Sequence, residues 1–182
     1  MTVRTALAAA GITVAAVLAG PALADGPGHF SVGAGAFDFT DQDDESAVGG
    51  LQYYSGHRVL ESQLGSRFRG IGPMLGLTVN TDGGVFGYGG LYADVRITEQ
   101  IVLLPSAGLG GYSEGDSKDL GGTFQFHVGT GLFYEFRDGQ HLPAGSRVGI
   151  TFQHISNADV HDRNPGANSI MLSYSIPLPS GF

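Results

Sequence analysis

The chain has 182 residues, about one domain's worth. Its formal net charge is −8, and its nine Lys and Arg are scattered, which excludes the clustered basic surface that a nucleic-acid binder needs. There is no cysteine, so disulfides and thiolate metal sites are excluded too.

Residues 1–24 read as a secretory signal peptide. Arg4 gives a positive start, Ala6–Gly20 is an apolar core, and Ala22–Ala24 is an A-x-A cleavage site. The expected mature chain begins at Asp25, lies outside the cytoplasm and forms a single domain over residues 25–182. No other run approaches the ~20 apolar residues that a membrane helix requires.

Period-2 alternation then recurs in segments of about ten residues, which predicts eight strands near 28–39, 46–56, 68–80, 84–97, 101–112, 122–136, 146–157 and 168–178. In the fourth, Val85, Leu91, Ala93, Val95 and Ile97 oppose Tyr88, Tyr92, Asp94 and Arg96. In the sixth, Phe124, Phe126, Val128, Leu132, Tyr134 and Phe136 oppose Thr123, Gln125, His127, Gly129, Gly131 and Glu135. Each strand is apolar on one side and polar or glycine-rich on the other.

Eight such strands fit either a soluble sandwich or barrel with the apolar face inside, or an outer-membrane barrel with it outside. The non-apolar face carries charges and small glycines, which suits a narrow, filled lumen. The even strand count, the secretion signal and the terminal Phe182 also favour the membrane barrel, although tryptophan, usual in aromatic girdles, is missing. The expected fold is an all-β, eight-stranded antiparallel transmembrane barrel with its termini in the periplasm. The loop Asn157–Ala167 is then external, as is the acidic run Asp38–Ser46.

On the seventh strand Val148, Ile150, Phe152, His154 and Ser156 share the outward parity, against Gly149, Thr151, Gln153 and Ile155. On the eighth, Asn168 shares the parity of Ile170, Leu172, Tyr174, Ile176 and Leu178. A hairpin register whose paired numbers sum to 322 sets Asn168 opposite His154, where cross-strand Cβ atoms lie ~5 Å apart. Three polar groups on a lipid face are costly, because hydrocarbon offers them no partners. Two readings remain on the residues alone. They are ordinary rim residues at the water interface, the simpler reading because H-x-S is a weak motif. Or they are a nucleophile (Ser156), its base (His154) and a residue that fixes the base's tautomer (Asn168). In the second reading the amides around Asn157 and Ala158, or the Asn164 side chain, would supply the oxyanion hole.

The stretch "FQHISNA" (Phe152–Ala158), followed by "NPG" and the closing "LSYSIPL" (Leu172–Leu178), resembles the C-terminal signature of the lipid A 3-O-deacylases, the PagL family. The likeness is specific over roughly residues 146–178 and architectural before that. It implies an eight-stranded outer-membrane barrel with its active site on the outside, hydrolysing the ester-linked acyl chain at position 3 of lipid A without a metal. It makes His154 the base and Ser156 the nucleophile. Asn157 and Asn164 fall at asparagines of the motif region, and Asn164 resembles an oxyanion contributor. Asn168 departs from the pattern, which has a glutamate there. An amide cannot stabilise imidazolium by charge, yet it can orient the ring, and outer-membrane phospholipase A, an unrelated barrel, uses a serine–histidine–asparagine set.

The expected function is therefore a lipid A 3-O-deacylase in the bacterial cell outer membrane, with no cofactor, lipopolysaccharide of the outer leaflet as its partner, and a homodimer left open. The alternative is a catalytically inactive small barrel with a structural or adhesive role. Arg163 is either a contact for a lipid A phosphate or a surface arginine. The acidic run reads as a solvated loop before a cation site. His127 and Glu135 are expected in a polar network inside the lumen.

Overall fold

A computed structural model describes residues 26–41, 45–61 and 64–179 of the chain. The secretion signal, the expected start at Asp25 and the terminal Phe182 lie outside the described residues, as do Asp43 and Asp44 of the acidic run.

The eight predicted strands are present: β1 (His29–Phe37), β2 (Ser46–Tyr54), β3 (Phe68–Asn80), β4 (Val85–Arg96), β5 (Ile101–Ser113), β6 (Phe124–Glu135), β7 (Arg147–Ser156) and β8 (Ala167–Pro177). Each pairs antiparallel with the next, and β1 pairs with β8, so the sheet closes and no edge is left open. Observed and expected bounds differ by a residue or two at most.

Alternation along each strand sorts the side chains. Leu75, Leu91, Val128, Leu132, Ile150 and Leu172 point outward and are exposed, Leu172 by 68%. A continuous apolar band of this kind is untenable in water and is what a bilayer matches. The inward positions are filled instead of leaving a channel. Tyr88 stacks between Phe86 and His127, with ring centroids 5.0 and 4.3 Å away, and Tyr54 meets Tyr92 edge-on. Space for the Tyr88 ring comes from its cross-strand neighbour Gly76, where a Cβ would fall 2.1 Å from Tyr88 Cζ.

At the end where β1 begins and β8 finishes, Arg147 binds Glu135 (2.8 Å) and Asp94 (3.4 Å), Arg96 clamps Glu135 with two bonds (2.7 and 2.9 Å), and Arg58 approaches Asp94 at 4.0 Å. These buried charges are mutually paired, the condition under which a lumen can hold them. His127 sits higher, hydrogen-bonded to Ser106 (2.9 Å) and Gln153 (3.1 Å). The expected lumenal placement of Glu135 and His127 holds. The β1–β2, β3–β4, β5–β6 and β7–β8 connections gather at the opposite end, and that end carries the candidate site.

Candidate active site

The β7–β8 hairpin pairs residues whose numbers sum to 322, and His154 stands directly opposite Asn168. Their side chains meet on the outer face: His154 Nδ1 lies 2.8 Å from Asn168 Oδ1. An amide oxygen only accepts, so Nδ1 carries the proton and Nε2 is left as the basic nitrogen. The orientation of the Asn168 amide is itself fixed, because its Nδ2 donates to Thr40 Oγ1 at 2.9 Å.

Ser156 ends β7 on the same face, half-buried, with Phe126 as its partner on β6. Residues two apart on a strand are separated by ~6.6 Å along the backbone, and no hydrogen bond joins Ser156 to His154 in this conformation. Catalytic hydrogen bonds commonly close only when substrate binds. The imidazole edge rests on Gly166, which has φ +65°; a Cβ there would lie 3.1 Å from His154 Cε1 and 3.4 Å from the Ile155 carbonyl oxygen. Gly166 thus supplies both a left-handed bend and clearance for the His154 ring, a role not assigned from sequence although it belongs to the quoted "NPG".

Immediately after Ser156 the chain makes a tight turn. Val160 N–H donates to the Asn157 carbonyl (3.1 Å), and the two central residues, Ala158 and Asp159, have φ of 52° and 61°. Positive φ at two successive non-glycine residues is strained and persists where surrounding contacts impose it. Those contacts come from Asn157. It is fully buried, and its Nδ2 donates to the Leu120 carbonyl (2.8 Å), tying the turn to the β5–β6 loop, and to the Arg163 carbonyl (2.6 Å), closing its own loop.

This arrangement revises the oxyanion expectation. The Asn157 N–H is already donated to Asn164 Oδ1 at 2.9 Å, so in this conformation it is not available to a substrate. The same bond points the Asn164 amide so that its Nδ2 is the end left over. Asn164 Nδ2 and the N–H of exposed Ala158, two residues after Ser156, remain as candidate donors, while Asn157 serves as the anchor. Arg163 is on the surface and pairs with Asp119 at 2.7 Å, so it meets a carboxylate where a phosphate contact was one of the expectations.

Sequence reasoning missed a second layer behind Asn168. Asp38, at the end of β1, has its side chain buried, and its backbone adopts φ 47°. Its Oδ1 accepts the Asn168 N–H (3.1 Å) and a long bond from the Thr40 hydroxyl (3.5 Å). Its Oδ2 accepts from Lys118 Nζ, which also reaches Asp41 at 3.1 Å. Burial lowers the affinity of Lys118 for its proton, but hydrogen bonds to Asp38 and Asp41 outweigh that and raise its pKa above the ordinary lysine value. The first part of the acidic run is thus a bound layer beneath the site, while Asp43 and Asp44 are not described.

Around the polar group the outer face is apolar. Val128 flanks His154 on β6, Ile170 and Leu172 continue β8, and two edge-on aromatic pairs stand close by, Phe39–Phe152 (6.2 Å) and Phe124–Phe126 (5.0 Å). A polar side chain set in this surface is reached sideways, along the bilayer.

The family model for lipid A 3-O-deacylase (PagL) matches residues 83–177, a span that includes β7, β8 and the turn between them. The lipid A deacylase PagL of Bordetella bronchiseptica is 33% identical over 60 residues, 32% of this chain. The matched stretch spans 29% of the length of that relative. The crystal structure of the outer membrane enzyme PagL has the same fold, with a TM-score of 0.59 and 22% identity over 82% of this chain and 99% of that one.

Proposed function

The chain belongs to the lipid A 3-O-deacylase (PagL) family, whose model covers more than half of its 182 residues. From that premise we propose that it is an outer-membrane serine esterase that removes the 3-O-linked acyl chain from lipid A. The observation that carries the reading is the His154–Asn168 hydrogen bond on the lipid-facing rim, with Ser156 two residues away on the same face. It fixes the tautomer that a general base needs, at the one surface where a membrane lipid arrives without leaving the bilayer.

In this reading lipid A slides along the apolar face, and its acyl chain lies against Val128, Ile170 and the aromatic pairs. Ser156 Oγ attacks the ester carbonyl carbon while His154 Nε2 takes its proton. Asn164 Nδ2 and the Ala158 N–H receive the developing oxyanion, the interaction with the greatest leverage on the barrier. Collapse breaks the bond to the sugar oxygen, and His154 returns the proton to that leaving hydroxyl. Water, deprotonated by His154, then attacks the acyl-serine, frees the fatty acid and restores Ser156. Asn168 orients the ring throughout and, being neutral, does not itself balance the imidazolium charge. This neutrality is what favours the alternative of an inactive barrel.

Covalent labelling separates the two. The purified, folded barrel treated with a fluorophosphonate should be modified at Ser156 alone, and His154→Ala should suppress the modification. An unmodified Ser156 in a folded barrel would favour the inactive barrel.

A further inference from the structure

The layer behind Asn168 ends on a charge. From the base inward, His154 Nδ1–H bonds Asn168 Oδ1 (2.8 Å), Asn168 Nδ2 bonds Thr40 Oγ1 (2.9 Å), and the Thr40 hydroxyl points to Asp38 Oδ1 (3.5 Å). A second, shorter route joins the Asn168 backbone N–H to the same carboxylate oxygen at 3.1 Å. Every donor in this chain points toward Asp38, and every acceptor faces His154. Resting on the proposed esterase function, we propose that Asp38 is a positioning residue that supplies, through Thr40 and Asn168, the negative charge that the third member of the set lacks.

The physics favours this direction. A chain of aligned hydrogen bonds polarises cooperatively, so the amide oxygen that faces His154 becomes more negative when its far end binds a carboxylate. When His154 accepts the serine proton, the developing imidazolium therefore sees a polarised amide, with a buried carboxylate behind it. Asp38 is held firmly by its partners. Its side chain is 2% exposed, accepts the Asn168 N–H and is paired with Lys118, which is shared with Asp41. Its backbone is held at φ 47°, a conformation that aspartate tolerates better than most residues but which still needs imposing. The barrel imposes it: β1 closes on β8 with Phe37 opposite Ser169, and Phe39 N–H bonds the Asn168 carbonyl (3.2 Å), so Asp38 is clamped from both sides onto the residue it polarises.

A structural anchor for the β1–β2 loop would use many of the same contacts, so the test must separate charge from shape. Asp38→Asn is isosteric and keeps an acceptor for the Asn168 N–H. It should lower kcat for lipid A deacylation about tenfold with KM unchanged, because Asp38 touches no substrate. Thr40→Val, at an exposed position, cuts the side-chain route alone and should lower kcat about threefold. The decisive comparison is Asp38→Asn in the Asn168→Glu background, where a carboxylate would bond His154 directly. There the same change should leave kcat unchanged or raise it, since it removes a like charge beside the new glutamate. An equal loss in both backgrounds would make Asp38 a loop anchor and overturn the inference, as would an unchanged kcat in Asp38→Asn alone. A wild-type protein no more active than Ser156→Ala would instead overturn the esterase reading, and this inference with it.

Discussion

Replacing Asn164 with aspartate separates two jobs held by one amide. Its Oδ1 accepts the Asn157 N–H at 2.9 Å and helps to hold the strained turn that follows Ser156. Its Nδ2 is the donor assigned to the oxyanion. Aspartate keeps the first job, since a carboxylate oxygen accepts the same N–H in a charge-assisted bond, so folding stability should change by less than about 1 kcal/mol. The second job is lost, and negative charge is placed where negative charge must build. Removal of one such donor costs about 10²–10³ in kcat, roughly 2.7–4 kcal/mol, and the added repulsion puts Asn164→Asp at the upper end of that range. Asn164→Ala loses both jobs. It should show a similar fall in rate together with about 1–3 kcal/mol of lost stability, because a part-buried N–H is left without its acceptor. Free fatty acid released from lipid A in mixed micelles gives the rate, and the thermal loss of β-sheet circular dichroism gives the stability. A rate for Asn164→Asp within about threefold of wild type would refute the assignment, because a donor at the reacting centre cannot be inverted in charge so cheaply.

Other substitutions test separate parts of the account. Gly166→Ala places a Cβ 3.1 Å from the His154 ring at a φ of +65°; it should cost about 1–2 kcal/mol of stability and reduce deacylation about tenfold, read by the same two assays. Asn157→Ala removes the bond that ties the turn to the β5–β6 loop at Leu120 and the bond that closes its own loop at Arg163; it should cost about 2–3 kcal/mol, with faster proteolysis of residues 157–166 while the barrel itself stays intact. Arg147→Met leaves Glu135 and the buried Asp94 short of a counter-charge at the closed end of the lumen, so urea unfolding should show about 3–5 kcal/mol of lost stability.

The barrel was legible because its determinants are local and periodic. Alternation fixed which face of each strand is apolar, and parity alone put His154, Ser156 and Asn168 on the same side. The β7–β8 register itself was not fixed by sequence; any even-sum register kept the three on one face, and the structure selects the one that pairs His154 with Asn168. What sequence could not convey depends on closure and on backbone conformation. Asp38 and Asn168 are 130 residues apart, and they meet only because β1 pairs with β8. Nothing in the acidic run distinguishes its first aspartate from those that follow. The turn after Ser156 was equally hidden: Ala158 and Asp159 carry no glycine signal for positive φ, so Asn157 read as a source of oxyanion amides when its side chain is the buried anchor and its N–H is occupied. Arg163 read as either a phosphate contact or a surface arginine, and its pairing with Asp119 was hidden because that partner belongs to a different loop.

The central claim is that Ser156 cleaves the 3-position ester of lipid A at the outer rim of the barrel. Mass spectrometry of lipid A from cells that carry the barrel in their outer membrane, beside cells that carry Ser156→Ala at equal level, tests it most directly. The account predicts loss of one hydroxyacyl mass with the wild-type protein and unmodified lipid A with the variant. Identical lipid A in the two strains, with both proteins folded in the outer membrane, would contradict it.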